Sequence, residues 1–273
     1  MRLILIAVAT IVAFAVPVAR AQTRPATSNG RPTLFLVGDS TVKNSTKGQV
    51  GWGSQIDKYF DTAKINIANH AIGGRSSRSF QTEGRWDKVL EALKPGDFLL
   101  IQFGHNDGGN PRDPKSDPRG RGSLRGGGEE TAEVDNAATG KRETVHTFGW
   151  YMCKYARDAK AKGAHPIICS LVPRNDWKDG KVLRGSNSYA KWAREAAEAE
   201  KVPFIDLNEL AARRYEQLGE AKVKTFFPDE HTHTNAAGAD VNAQCVVEGI
   251  RALADHPLNR YLAARATPAT SPK

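Results

Sequence analysis

The first residue that could do chemistry is Ser40, placed where the apolar run Thr33-Leu34-Phe35-Leu36-Val37 stops at Gly38 and Asp39. A hydroxyl is a weak nucleophile at neutral pH. It attacks an acyl group only when a base within hydrogen-bond reach takes its proton and a carboxylate orients that base. One distant stretch, Asp229-Glu230-His231-Thr232-His233, carries both residue types. Acyl transfer also needs donors aimed at the oxyanion of the tetrahedral intermediate. The backbone N–H groups of Ser40 and Gly74 and the side-chain amide of Asn106 can supply them. Taken alone, Ser40 has a second reading, in which it caps the next helix with help from Asp39.

The elements that must position these groups follow from the apolar pattern. Thr33–Val37, Ile65–Ala68, Asp97–Phe103, Pro166–Leu171 and Val202–Leu207 are short apolar runs bounded by turn residues, which predicts five buried strands. Between them, helical spacing predicts helices over Phe80–Leu93, Phe148–Lys162, Ser186–Lys201 and Asn208–Leu218, with helical spacing also in Gly51–Phe60 and a last helix from Thr234-Asn235. Strands alternating with helices imply an α/β fold, a three-layer α/β/α sandwich around a mostly parallel five-stranded sheet. In such sheets ligands bind beyond the carboxyl ends of the strands. Ser40, Gly74 and Asn106 follow the first three strands. Gly108 to Glu143 is rich in Gly, Pro and charge, so no regular structure is assigned to it. It reads either as one wall of a substrate groove or as disordered chain.

The first residues predict export from the cytosol. Met1-Arg2, the apolar stretch Leu3–Val18 and Ala19-Arg20-Ala21 have the layout of a secretory signal peptide, with cleavage expected after Ala21. An uncleaved membrane anchor is the competing reading. Residues 22–31 read as a linker, 32–262 as one catalytic-size domain and 263–273 as a flexible tail. Removing residues 1–21 from the 273 takes away Arg2 and Arg20 and lowers the formal net charge from +9 to +7. That balance suits an acidic polymer, although solubility accounts for it equally well. The basic residues are scattered and no nucleic-acid motif is present, so nucleic acid is not an expected partner. Cys153, Cys169 and Cys245 match no zinc spacing and read as structural thiols.

Four blocks in this order carry a family resemblance: Gly38-Asp39-Ser40-Thr41, Gly73-Gly74-Arg75-Ser76, Gly104-His105-Asn106-Asp107 and Glu230-His231-Thr232-His233. Together they span residues 33 to 240, and the chain resembles the SGNH (GDSL-like) hydrolase superfamily with its flavodoxin-like sandwich. The wording Gly74-Arg75-Ser76-Ser77-Arg78-Ser79 with His231-Thr232-His233-Thr234 is similar to that of the rhamnogalacturonan acetylesterases, which remove acetyl groups from pectin. The resemblance implies Ser40 as nucleophile, His233 as general base and then acid, and Ser40, Gly74 and Asn106 as the oxyanion hole. The family has aspartate three residues before this histidine. Here that position is Glu230, which by spacing is the expected orienting acid, with Asp229 as the alternative.

The resulting expectation is an exported serine esterase acting on an acetylated polysaccharide or oligosaccharide, with no metal and no cofactor. Export ends in the periplasm or the medium, with no membrane contact after signal cleavage. A metal held by His231 and His233 with the neighbouring acids is a competing reading. Arg75 and Arg78, beside the oxyanion glycine, are candidate substrate-binding residues for uronate carboxylates. A helix-start charge or a structural ion pair explains them as well. The rival functions are an esterase of the same superfamily acting on xylan acetate, lipid or thioester, and a carbohydrate-binding protein without turnover.

Overall fold

A computed structural model describes residues 30–184, 188–228 and 231–264. The expected signal peptide, most of the linker, most of the tail, and both Asp229 and Glu230 lie outside the described residues.

The strands and helices in chain order are β1 (Thr33–Gly38), β2 (Asn66–Asn69), α1 (Ser77–Thr82), α2 (Arg85–Ala92), β3 (Phe98–Gln102), β4 (Thr131–Asp135), β5 (Arg142–His146), α3 (Phe148–Ala161), β6 (His165–Cys169), β7 (Trp177–Lys178), β8 (Lys181–Val182), α4 (Tyr189–Glu200), β9 (Phe204–Ile205), α5 (Leu207–Leu218), α6 (Glu220–Lys224) and α7 (Ala236–Ala252). The central sheet has the order β2-β1-β3-β6-β9 and is parallel throughout. Strand β1 therefore sits inside the sheet, with its two sequence successors on opposite sides of it. This reversal of winding direction marks the crevice between the C-terminal ends of β1 and β3 as the ligand position.

Alternation along the strands divides the core into two layers. Leu34, Leu36, Leu100, Ile167 and Cys169 face a layer completed by Val246 and Ile250 of α7 and Ala211 of α5. Phe35, Val37, Leu99, Ile101 and Ile168 face the other, closed by Phe80, Trp86, Met152, Tyr155 and Ala196 from α1 to α4. Each buried Val, Leu, Ile, Phe or Met side chain among them contributes about 1.5–3 kcal/mol by leaving water. The expected α/β/α sandwich is thus present. Cys169 and Cys245 are buried free thiols in the first layer, and Cys153 is half-buried. Among the described residues no helix is long and apolar enough to cross a membrane.

The structure differs from the sequence reading in three places. The helix expected over Phe80–Leu93 is two helices, because Gly84 adopts a left-handed φ of 67° between them. Gly51–Phe60 forms two 3-10 turns, not one α-helix. The segment Gly108–Glu143, read as lacking regular structure, contains β4 and joins the antiparallel hairpin that β5 completes. A small core of Leu124, Val134 and Val145 holds this hairpin.

Candidate active site

Ser40 lies in a tight turn after β1. Gly38 is required there, since a Cβ on it would sit 2.5 Å from the Gln102 carbonyl oxygen and 2.5 Å from Val42 Cγ2. Asp39 is fully buried, and its Oδ1 accepts from the Thr41 N–H at 2.8 Å and the Thr41 hydroxyl at 2.7 Å. Gln102, at the end of β3, donates to Thr41 Oγ1 and accepts from the Trp52 indole, both at 2.7 Å. The turn is thereby fixed by buried polar bonds on each side. No helix starts at Ser40, so the capping alternative does not describe it.

The segment after this turn carries the histidine to the serine. Trp52 N–H donates to Thr41 O and Gly53 N–H to Val42 O, each at 2.9 Å. Two residues before Trp52, Val50 N–H donates to Thr234 O at 2.7 Å, and the Thr234 hydroxyl donates to Val50 O at 3.0 Å. Asn235 then caps α7, with Oδ1 accepting from the N–H groups of Ala237 and Gly238. Held by these bonds of the residues that follow it, His233 places Nε2 2.7 Å from Ser40 Oγ across 193 positions of sequence. This is hydrogen-bond distance for a nucleophile and its base.

The loop after β2 closes the site from the other side. A Cβ on Gly73 would lie 3.6 Å from Ser40 Cβ, so this loop packs directly on the serine. Gly74 follows with φ 78°, a conformation that side chains disfavour. Asn106 Nδ2 donates to the Arg75 carbonyl at 3.1 Å. One of its two amide hydrogens is thus committed, and the amide is held against the Gly74-Arg75 backbone. Ser40, Gly74, Asn106 and His233 are therefore assembled at the C-terminal edge of β1 and β3.

Asp107 links the two loops. Fully buried, it accepts from the N–H and hydroxyl of Ser77, and burial pushes its carboxyl up to about 7. His105 is also driven toward its neutral form, chiefly by burial, against the pull of Asp39.

The two arginines separate. Arg78 is 1 % exposed, and its guanidinium donates to Gly122 O and to Glu143 while lying 3.8 Å from Asp117. The substrate-binding assignment of Arg78 is corrected accordingly: it fastens the Gly108–Glu143 segment to α1 and presents no charge to a ligand. Arg75 is partly exposed and bonds Glu83 and its own turn at Gly73 O.

Sequence reasoning missed Arg121, whose Nη1 donates to Gly74 O at 2.8 Å and so braces the Gly73–Arg75 loop from the long segment. It also missed the loop after β6. There Asp176 Oδ1 lies 2.7 Å from His231 Nδ1, and Asn175 N–H donates to His231 O at 2.7 Å. Applying the strand-end rule to the fourth sheet strand would have drawn attention to Pro173-Arg174-Asn175-Asp176. With His231 so engaged, and among the described residues, no group of three or more His, Cys, Asp or Glu side chains is arranged to hold a metal ion.

A serine held to an imidazole at the winding reversal of a parallel sheet, with amide donors grouped beside it, defines a serine hydrolase type of site. Residues 36–241 match the GDSL-like lipase/acylhydrolase family, and the chain belongs to that family of hydrolases. It is similar to a rhamnogalacturonan acetylesterase of Emericella nidulans, with 38 % identity over 218 residues, covering 80 % of this chain and 84 % of the relative. It is also similar to the rhamnogalacturonan acetylesterase RhgT of Bacillus subtilis, at 31 % over 250 residues, covering 85 % and 94 %. Among solved structures, the Bacillus subtilis protein YxiM superposes with a TM-score of 0.64 at 27 % identity. That match covers 82 % of this chain and 57 % of the longer one.

Proposed function

We propose that the chain is an exported carbohydrate acetylesterase whose substrate is acetylated pectin of the rhamnogalacturonan type. The observation that carries the chemistry is the 2.7 Å contact between Ser40 Oγ and His233 Nε2 beside Gly74 and Asn106. Both relatives above are named for this activity, which supports the substrate class. The basic charge and the layout of residues 1–21 support export toward an acidic polymer.

In this mechanism Ser40 Oγ attacks the acetyl carbonyl carbon as its proton passes to His233 Nε2. The developing oxyanion receives the Ser40 and Gly74 N–H groups and the Asn106 amide hydrogen not given to Arg75 O. The imidazolium then protonates the sugar oxygen, the C–O bond to the sugar breaks, and an acetyl group remains on Ser40. Water, deprotonated by the same imidazole, attacks that ester. Collapse of the second intermediate releases acetate and returns the proton to Ser40. Glu230, three residues before His233, is the proposed carboxylate for the other imidazole nitrogen.

The test is acetate release from acetylated rhamnogalacturonan, compared with acetylated xylan and a small aryl acetate, by the wild type and Ser40→Ala. The expected result is a preference for the pectic substrate that disappears with the hydroxyl. Equal rates on the two polymers would refute the substrate assignment, and an active Ser40→Ala would refute the mechanism.

A further inference from the structure

We propose that the cleft between the β3 loop, the β6 loop and α4 is a subsite for one carboxylate-bearing sugar unit, with Arg174 reading its charge. This rests on the acetylesterase reading and names the part of the substrate that the site would select. The cleft encloses ≈ 250 Å³ and is lined by Gly104 and His105, by Leu171 to Arg174 with Asp176, and by Tyr189. It adjoins the serine-histidine pair: His105 precedes Asn106 and interacts electrostatically with His233, and the loop bearing Arg174 is bonded to His231.

The lining holds polar groups that the protein leaves unanswered. Arg174 is exposed, and among the described residues it makes no hydrogen bond or ion pair. The surrounding arginines are engaged: Arg75 with Glu83, Arg121 with Gly74 O, and Arg125 with Ser188 and the rings of Tyr189 and Trp192. The Tyr189 hydroxyl is shut off from solvent with no hydrogen-bond partner among the described residues, whereas the buried His105 interacts with the Val172 backbone. Buried polar atoms in folded proteins are nearly always paired, so a lining that holds such a hydroxyl is completed by something polar.

The charge of that ligand follows from the lining. Asp176, the carboxylate in it, is already held by His231 Nδ1. What remains is a guanidinium fork, which matches the two coplanar oxygens of a carboxylate. The Tyr189 hydroxyl remains for a sugar oxygen. An acyl chain would meet Leu171, Val172 and Pro173 but would strand the Tyr189 hydroxyl. The volume lies below the roughly 300–1,000 Å³ of drug-sized ligand pockets, which suits one sugar ring and not several.

The test compares kcat/KM on acetylated rhamnogalacturonan oligosaccharides with that on the same oligosaccharides after carboxyl reduction to neutral sugars. The wild type is expected to favour the acidic form by about tenfold or more, the range of a hydrogen bond to a charged group. Arg174→Gln should bring the ratio near one, and Arg174→Lys should keep part of it because the charge remains without the fork. A ratio unchanged in Arg174→Gln would overturn the assignment of Arg174. A wild-type ratio near one would overturn the charged subsite while leaving the acetylesterase intact. A wild type that cleaves a small aryl acetate but neither oligosaccharide would remove the acetylesterase reading and this subsite with it.

Discussion

Replacing Arg78 by Met distinguishes a structural cation from a substrate ligand. The aliphatic volume is nearly conserved, so the change chiefly removes a guanidinium that is 1 % exposed. Breaking a buried ion pair from one side costs about 3–5 kcal/mol, mostly from the charge left behind. Here the stranded groups keep other donors. Asp117 still accepts from the N–H groups of Arg121 and Gly122 at 2.9 and 2.7 Å, and Glu143 still accepts from Asn136 Nδ2 at 2.5 Å. The low end, about 3 kcal/mol, is therefore expected. For a domain of this size, 1 kcal/mol moves Tm by roughly 2–4 °C, so a fall of about 6–12 °C should appear in a calorimetric or circular-dichroism melt. Adding Glu143→Gln should recover part of that loss, since the uncompensated carboxylate is gone. The reasoning fails if Arg78→Met melts within a degree or two of the wild type and instead raises KM for acidic oligosaccharides alone.

Three further outcomes follow from the same geometry. Asn106→Ala should lower kcat by about 10²–10³ with a smaller change in KM, as removal of one oxyanion donor does; steady-state kinetics on a small aryl acetate reads it, and a change in KM alone would argue against the donor role. Gly38→Ala places a methyl 2.5 Å from the Gln102 carbonyl, so stability and turnover should both fall while Ser40 is chemically untouched; an unperturbed melt would contradict that packing. Asp107 has a folded-state pKa raised to about 7 from 3.8, so its contribution to stability is fully present below pH 3.8 and is lost as pH rises through about 7. At about 1.36 kcal/mol per unit this is at most about 4 kcal/mol, and urea titrations of wild type against Asp107→Asn between pH 4 and 8 should show the difference narrowing with rising pH.

What was legible in the sequence is what local pattern encodes. The run Leu34 to Val37, bounded by Gly38, could only be a strand buried on both faces, and the strand-end rule then grouped Ser40, Gly74 and Asn106. The hairpin of β4 and β5 was hidden because its strands face water over most of their length. Val134 and Val145 alone are buried in them, too few to set up an alternating signal. Arg78 was misjudged for a related reason. Its partners at 117, 122 and 143 come from that same polar segment, so nothing near it in sequence announced its burial. The break at Gly84 was masked by apolar spacing that continues from Phe80 to Leu93 through a residue free to turn left-handed. Arg174 lay outside the motifs because a single charged residue after a strand has no pattern of its own.

The direct test of the central claim is mass spectrometry on acid-quenched enzyme mixed with excess aryl acetate, followed by digestion and peptide mapping. One added acetyl group is expected on the peptide containing Ser40, appearing as a burst in the wild type and absent in Ser40→Ala. Turnover with no acetyl on that peptide, or an acetyl carried by another residue, would contradict it.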